Sequence, residues 1–255
     1  MIKEVKKNAR SLIQKNFRYL IIPSTILMIF DAIAYIFINV IITKIYWHHF
    51  DILLQLIFLL CFMLLEFVCI PLSRVLLFKT IFNLDNTSKE NTIFPIKQML
   101  SSNIIVKTVL VNFLPILLRI LVQTCATKIF YFNHNYKWVA IIASWVGIFV
   151  FYKFNAVNYY IAIESEHPIK CSFRLMKNIF GKYLLLGLSF IGYVMLAASI
   201  GVLLQYVFFG NFAKNLYVPQ LRVFDSFGYG VGFYLTPYIY VSDYYFFNNL
   251  KNNLK

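Results

Sequence analysis

Five ionisable residues lie inside long apolar runs of this sequence, where a charge is costly. They are Asp31, Glu66, Arg119, Lys153 and Asp243. A charged side chain in hydrocarbon costs from about 2.5 kcal/mol upward unless it is paired or hydrated, so such residues are the first candidates for function. Glu66, Arg119 and Lys153 form the candidate buried-charge site, and we predict that Glu66 pairs with Lys153. Two kinds of chemistry fit: an ion pair that orders a helix bundle, or a path for a substrate or proton.

Motifs of common catalytic chemistry are missing from the sequence. We find no HExxH zinc motif, no GxSxG nucleophile turn and no glycine-rich phosphate loop. His48, His49 and Asp51 could bind a metal, but adjacent histidines without a third nitrogen or sulfur ligand at fixed spacing are typical of a polar turn. We therefore predict a non-enzymatic protein with no catalytic, cofactor-binding or metal-binding residues.

Two further patterns match known sites only weakly. Gly228-Tyr229-Gly230 contains the GYG triplet of potassium filters, yet it begins a predicted helix. Gly228 and Gly232 have the four-residue spacing of close helix packing, which explains them better. The cysteines have no CxxC spacing, which argues against a zinc site or a disulfide framework. They are Cys61, Cys69, Cys125 and Cys171.

Composition indicates a membrane protein. Of the 255 residues, 60% are apolar, 19% are aromatic and only 13% are charged, whereas soluble domains hold roughly 45 to 50% apolar residues. A helix needs about 20 apolar residues to cross the hydrocarbon core. We predict an all-α fold with one integral membrane domain, 1–255, six transmembrane helices and short interfacial amphipathic helices. The predicted spans are 19–46, 52–77, 104–127, 138–162, 183–209 and 227–247.

The distribution of basic residues predicts the orientation in the membrane. The formal net charge is +14, and 17 of the 24 basic residues fall at the N-terminus, in the second loop, around 168–182 or in the tail. Five others fall in the alternate loops, and Arg119 and Lys153 lie within spans. By the positive-inside rule, both termini of a plasma-membrane protein with this charge distribution are cytoplasmic. Because the charge spreads along one membrane face, we predict contact with anionic headgroups and no nucleic-acid partner.

Two amphipathic segments are predicted to lie at the membrane surface, at 2–16 and 168–180. Pro168 suits a first helical position, and Gly181 suits the left-handed position after a helix. The second segment carries a row of apolar residues and, one residue later, a row of basic ones. The apolar row is Ile169, Phe173, Met176 and Phe180, and the basic row, our candidate anionic-lipid contact, is Lys170, Arg174 and Lys177. The alternative is a soluble connector whose apolar face packs on the protein.

Two motifs in the second half of the chain carry a resemblance. Ser172-Phe173-Arg174-Leu175-Met176-Lys177, followed by Leu188-Ser189-Phe190-Ile191-Gly192-Tyr193, resembles the "S-R-x-L-M-K … L-S-F-I-G-W" signature of the bacterial multi-pass membrane proteins catalogued as domain of unknown function 975. The tail, with Pro237-Tyr238, Tyr244-Tyr245 and Leu250-Lys251, is similar to the closing "P-Y … F-Y … L-K" of that family. Tyr193 stands where the family has tryptophan. The resemblance implies an architecture and no biochemical activity.

These features favour a non-enzymatic accessory or interaction protein of a membrane process, such as transport assistance or protection against membrane-active peptides. Its partners would be the lipid bilayer with anionic headgroups and other membrane proteins. The alternative function is a small-solute transporter or channel, which would need Glu66, Arg119 and Lys153 to line a common hydrated cavity.

Overall fold

The structure is a computed structural model that describes residues 1–45, 52–86, 101–132, 156–190 and 223–253, with single positions between 192 and 199. Over these residues the fold is all-α, as predicted. The helices are α1 (Ile2–Ile45), α2 (Ile52–Leu64), a π-helical segment (Leu65–Cys69), α3 (Ile70–Asn86), α4 (Ser102–Phe132), α5 (156–162), α6 (Pro168–Leu188) and α7 (Val223–Asn253). α1 packs chiefly against α7 and α3.

A kink divides α1 into an amphipathic part and an apolar part. Asn16 leaves the helical region, with φ −126° and ψ 23°, and its side-chain amide donates to the carbonyl of Leu12 at 3.3 Å. Val5, Ala9 and Leu12, which the sequence places on one face, are buried in the core. The predicted surface helix at 2–16 therefore ends at the kink and packs on the protein, although no loop separates it from the apolar part.

A widened turn precedes Pro71 between α2 and α3. A proline ring inside a helix would collide with the carbonyl four residues earlier, and it offers no amide hydrogen. Here the amide of Ile70 donates to the carbonyl of Leu65, five residues back, which widens the turn at that point. The Ser73 hydroxyl donates to the carbonyl of Cys69 at 2.8 Å. The apolar run therefore continues through the proline.

α5 ends in a left-handed residue that is not glycine. Glu164 has φ 59°, its amide donates to Ile161, and the amide of Ser165 donates to Tyr160. This pair of hydrogen bonds is the Schellman ending of a helix. Oε1 of Glu164 forms an ion pair with Nζ of Lys79 in α3, at 2.7 Å. The turn that leads from α5 to α6 is therefore also held against α3 by this ion pair.

α6 corrects three of the predictions about the second surface segment. Pro168 does begin the helix, but the helix continues through Gly181 to Leu188, and no described glycine has a positive φ. A turn follows at Ser189 and Phe190, so neither the helix end at 180 nor the span start at 183 holds. Met176, predicted to face lipid, is 0% exposed and lies in the protein core. Glycine is tolerated inside a helix when no neighbouring residue, such as a proline, ends the helix at that point.

An aromatic cluster around Tyr159 joins α5 to α3, α6 and α7. The Tyr159 ring contacts Phe78 at 6.1 Å, Tyr244 at 5.8 Å and Phe247 at 5.5 Å between centroids. Phe247 in turn contacts Tyr183 of α6 at 5.2 Å. Aromatic pairs in such tilted and edge-to-face geometry contribute beyond the apolar area that they bury. The centre of the described bundle is therefore aromatic.

The helices are longer than the predicted spans. α3 continues to Asn86, where we predicted a loop from about residue 79, and α4 continues to Phe132. Of the described residues, one helical stretch, Leu59–Asn86, is long and apolar enough to cross a membrane. Most of the predicted spans 138–162 and 183–209 lie outside the described residues. The six-span architecture is thus tested only in part.

We expect Gly181→Ala to stabilise the protein. An added Cβ at Gly181 would meet nothing within 4 Å, and alanine in a helix interior is favoured over glycine by about 0.5 to 1 kcal/mol. The free energy of unfolding of the purified protein in mild detergent should rise by that amount. Lys182→Ala, at the next exposed position, is the control and should change it much less. A loss of about 1 kcal/mol or more in Gly181→Ala would indicate the left-handed conformation.

Candidate functional site

Glu66 is the one residue of the predicted buried-charge site whose side chain the structure describes. It lies in the π-helical segment and is buried, at 8% exposure. Arg119 lies in α4, but its side chain is outside the described part of the chain, and Lys153 is outside it altogether. The pairing of Glu66 with Lys153 therefore stays a prediction.

Arg74 of α3 is the cation that the structure brings toward Glu66. Its Nη2 lies 4.0 Å from Oδ1 of Asp31 in α1, and its guanidinium lies near enough to Glu66 and to the phenol of Tyr240 in α7 to interact electrostatically with both. We call Asp31, Glu66, Arg74 and Tyr240 the buried-charge cluster. Arg74 is 16% exposed and Asp31 is 37% exposed in their side chains.

The buried-charge cluster has a structural consequence. A guanidinium placed where water is scarce needs nearby negative charge and hydrogen-bond acceptors, because it has five donors and no acceptor. Asp31 and Tyr240 supply these from two other helices, and Glu66 supplies charge from about two turns earlier on the same continuous run. The cluster therefore holds α1 and α7 against α3 in one register.

Sequence reasoning missed Arg74 as a buried partner. We counted it among the basic residues of the cytoplasmic loop because it lies near the predicted inner end of span two. A usable signal was present: Glu66 and Arg74 belong to one apolar run and are eight residues apart, which is slightly more than two helical turns. Asp31 was identified as a buried charge, and only the tertiary structure joins it to Arg74.

Other polar groups also pair within the protein; most of them are buried and one, Asp85, is exposed. The amide of Asn112 in α4 donates to Oδ1 of Asn158 in α5 at 2.9 Å. Tyr183 of α6 donates to Asp243 of α7 at 3.1 Å. Asp85 accepts hydrogen bonds from the hydroxyls of Tyr244 and Tyr245 at 3.0 and 2.7 Å. Each pair joins two different helices, as expected where unpaired polar groups are costly.

The predicted lipid-contact residues Lys170, Arg174 and Lys177 are all exposed on α6. At 3.6 residues per turn they lie opposite the face of α6 that packs on the protein. Ile169 and Phe173, at 42% and 41% exposure, occupy the flank between these two faces. The buried face consists of Ser172, Leu175, Met176, Ile179, Tyr183 and Leu186. α6 thus has three faces, where we had predicted two.

A second group of cations lies against aromatic rings at the end of α6. Lys6 Nζ donates to the carbonyl of Ser189 at 3.0 Å and lies 4.4 Å from the centroid of Phe190. Arg10 donates from Nε to the hydroxyl of Tyr238 at 3.2 Å and from Nη2 to the hydroxyl of Tyr193 at 3.4 Å. We call Lys6, Arg10, Phe190, Tyr193 and Tyr238 the cation–aromatic cluster.

The cation–aromatic cluster brings together the motifs that carry the family resemblance. Phe190 and Tyr193 belong to the first motif and Tyr238 to the second, and the ring of Tyr238 contacts those of Phe190 and Tyr193 at 5.4 and 6.3 Å. Partial burial lowers the pKa of Lys6; nearby Tyr193 acts in the opposite direction, and the charge of Arg10 lowers it further. Sequence reasoning identified each motif and did not predict their contact.

Metal ligands do not cluster in the described residues. No group of three or more His, Cys, Asp or Glu side chains is arranged there to hold a metal ion. The turn with His48, His49 and Asp51 lies outside them. Cys61, Cys69 and Cys171 are free thiols.

The chain was compared with known proteins. No family model, no curated protein and no solved structure matches it. Membership of the family named above therefore stays a prediction that rests on the motifs alone.

We expect Arg74→Met to destabilise the fold strongly, because it leaves Asp31 and Glu66 without their cation. Removing one partner of a buried ion pair typically costs roughly 3 to 5 kcal/mol, and the partial exposure of Asp31 favours the lower end. The matched control is Lys79→Met on the same helix: Lys79 is about as buried as Arg74, at 13% exposure, but its partner Glu164 is 65% exposed. Water can hydrate Glu164 once the cation is gone, so the loss should be about 1 kcal/mol. Unfolding of both variants in mild detergent is the measurement. Equal losses would show that the buried-charge cluster is not a special constraint.

Proposed function

We propose that this chain is a six-span protein of the bacterial plasma membrane with both termini in the cytoplasm, and that it belongs to the domain of unknown function 975 family. It acts without catalysis, as an accessory or interaction protein that assists transport or protects the membrane against membrane-active peptides. Its charge distribution supports the orientation, and its motifs support the family.

The observation that carries this proposal is the exposed apolar surface of α2 and α4. Soluble monomers rarely expose contiguous apolar patches larger than a few hundred Å², and larger ones mark contact with a membrane or a partner. Large apolar side chains point outward along both helices for several turns. They are Leu56, Ile57, Leu59, Leu60 and Leu64 on α2, and Val106, Leu110, Phe113, Leu114, Leu118 and Leu121 on α4.

The pairing of buried polar groups favours the accessory role. A transporter needs polar side chains that can exchange a protein partner for a substrate or water. In the described bundle, Asn112 with Asn158, Tyr183 with Asp243 and Arg74 with Asp31 connect helices to each other. Such groups serve the order of the bundle, and the exposed surfaces are left for partners and lipid.

One observation favours the alternative, a small-solute transporter or channel. The π-helical segment that carries Glu66 interrupts the regular helix beside the buried-charge cluster, and π segments often occur at functional sites. Glu66, Arg119 and Lys153 would then line a common hydrated cavity. If the charges are only structural, the purified protein should not transport a solute; if they form a transport site, it should.

The two functions are distinguished by reconstitution and by affinity purification. If the protein is an accessory, purification from the native membrane in mild detergent should recover a membrane-protein partner in amounts comparable to the chain itself. An unrelated multi-span protein purified in parallel is the control. Liposomes that contain the purified chain alone should show the solute permeability of empty liposomes. Saturable flux in those liposomes, abolished by Glu66→Gln, would support the transporter.

We expect cysteine labelling to report both termini in the cytoplasm. In a variant without its native cysteines, a single cysteine at Asn135, in a predicted outer turn, should react with a membrane-impermeant maleimide in intact cells. One at Asn86, which is exposed at the end of α3, should react only after the membrane is opened. The opposite pattern would reverse the orientation, and labelling of both in intact cells would contradict the span count.

A further inference from the structure

We propose that the cation–aromatic cluster is a binding site for a phosphate group, which either a phospholipid headgroup or free phosphate could supply. The site is distinct from the basic face of α6. It is formed by the N-terminal part of α1 together with Tyr238 of α7 and the residues that follow α6.

The cluster presents hydrogen-bond donors and charge of one sign. Lys6 and Arg10 carry donors and no acceptor atoms. The phenol oxygens of Tyr193 and Tyr238 accept from Arg10, so their hydroxyl hydrogens must point away from the guanidinium. None of the described residues accepts a hydrogen bond from either hydroxyl. Two cations and two phenol hydroxyls therefore lie together in one small region, and such a set is suited to an oxyanion.

Two other cations of the described residues, Arg74 and Lys79, provide a contrast. Arg74 faces Asp31 and Lys79 faces Glu164, whereas Lys6 and Arg10 form no ion pair with a carboxylate in the part of the chain that the structure describes. They lie instead beside each other and beside neutral rings. Two like charges held together repel, and a bound anion would remove that repulsion. Among the described residues, nothing in contact with Lys6 and Arg10 carries a negative charge, which a bound anion would supply.

The site is held in place before a ligand binds. The carbonyl of Ser189 fixes the Lys6 ammonium, the Phe190 ring lies beneath it and is 4% exposed, and the Arg10 guanidinium spans two phenols. Ordered donors lose less conformational entropy on binding than free ones do. Lys3 lies on the same helical face, one turn before Lys6, and is exposed, so it can approach the outer side of the same anion.

The lipid source, unlike the site itself, rests on the proposed membrane location. Aromatic and basic residues together at a helix end are typical of the membrane–water interface, where lipid phosphates lie. Free phosphate would use the same donors without a membrane. The two sources can be separated because a lipid ligand adds acyl chains and a soluble anion does not.

The test measures unfolding of the full chain in neutral detergent at constant ionic strength, with either short-chain phosphatidylglycerol or sodium phosphate added. A ligand that binds only the folded state stabilises it by RT ln(1 + L/Kd), where L is the ligand concentration, so the rise of the unfolding temperature with ligand concentration yields the dissociation constant. We expect Lys6→Gln and Arg10→Gln to weaken binding about tenfold each, as loss of a charged hydrogen bond implies. Lys15→Gln removes the same charge from the opposite face of the same helix and should weaken it less than about twofold.

A second variant separates loss of phosphate binding from loss of folding. Tyr193→Phe with Tyr238→Phe keeps both rings and removes only the hydroxyls, so the unfolding temperature without ligand should change little while binding weakens about fivefold. Tighter binding of the lipid than of phosphate identifies a headgroup, and equal binding identifies free phosphate. Absence of binding by both ligands, or equal weakening by Lys15→Gln, overturns the proposal. Arg10-dependent phosphate binding would stand even if cysteine labelling contradicted the membrane topology.

Discussion

Burial of the Arg74 guanidinium is the constraint on which the packing of α1, α3 and α7 depends. A charge inside an apolar bundle is tolerated only when opposite charge and hydrogen-bond acceptors surround it. Asp31 comes from α1, Tyr240 from α7 and Glu66 from the segment before α3. Sliding of α1 by one turn would take Asp31 away from the guanidinium, and sliding of α7 would take Tyr240 away from it. Apolar packing alone tolerates such slippage far better, since one aliphatic contact replaces another.

Tyrosine hydroxyls restrict the packing of α3, α6 and α7 in the same way, because each buried hydroxyl needs a hydrogen-bond partner. A tyrosine buries a large ring and brings a hydroxyl that needs a partner. Tyr183 meets Asp243, Tyr244 and Tyr245 meet Asp85, and the ring of Tyr159 fills the space between α3 and α7. Ring packing supplies contact area and the hydroxyls specify which helix faces which. The aromatic cluster and the buried-charge cluster share α3 and α7, so the two sets of constraints act on one pair of helices.

Two amphipathic helices face outward from this bundle and use their faces differently. The N-terminal part of α1 buries Val5 and Ala9 and turns Lys6 and Arg10 toward rings of the protein itself. α6 buries Met176 and leaves Lys170, Arg174 and Lys177 exposed. In both helices the protein takes the apolar face that periodicity alone would have assigned to lipid. In α6, contact with lipid is then left to the exposed basic residues and to the flanking side chains Ile169 and Phe173.

Composition and periodicity determined that the described residues are helical, that Pro168 begins a helix and that Val5, Ala9 and Leu12 share one helical face, because these follow from local backbone geometry and from spacing along one helix. The helix end predicted at 180 is wrong, and helices continue past the predicted span ends at 77 and 127, because a polar or glycine residue permits a helix end without requiring one. The partner of Asp31 and the meeting of Arg10 with Tyr193 and Tyr238 were decided only by the tertiary structure. These residues are separated by 43 or more positions, and no local pattern specifies which of several cations or rings a distant helix will bring into contact.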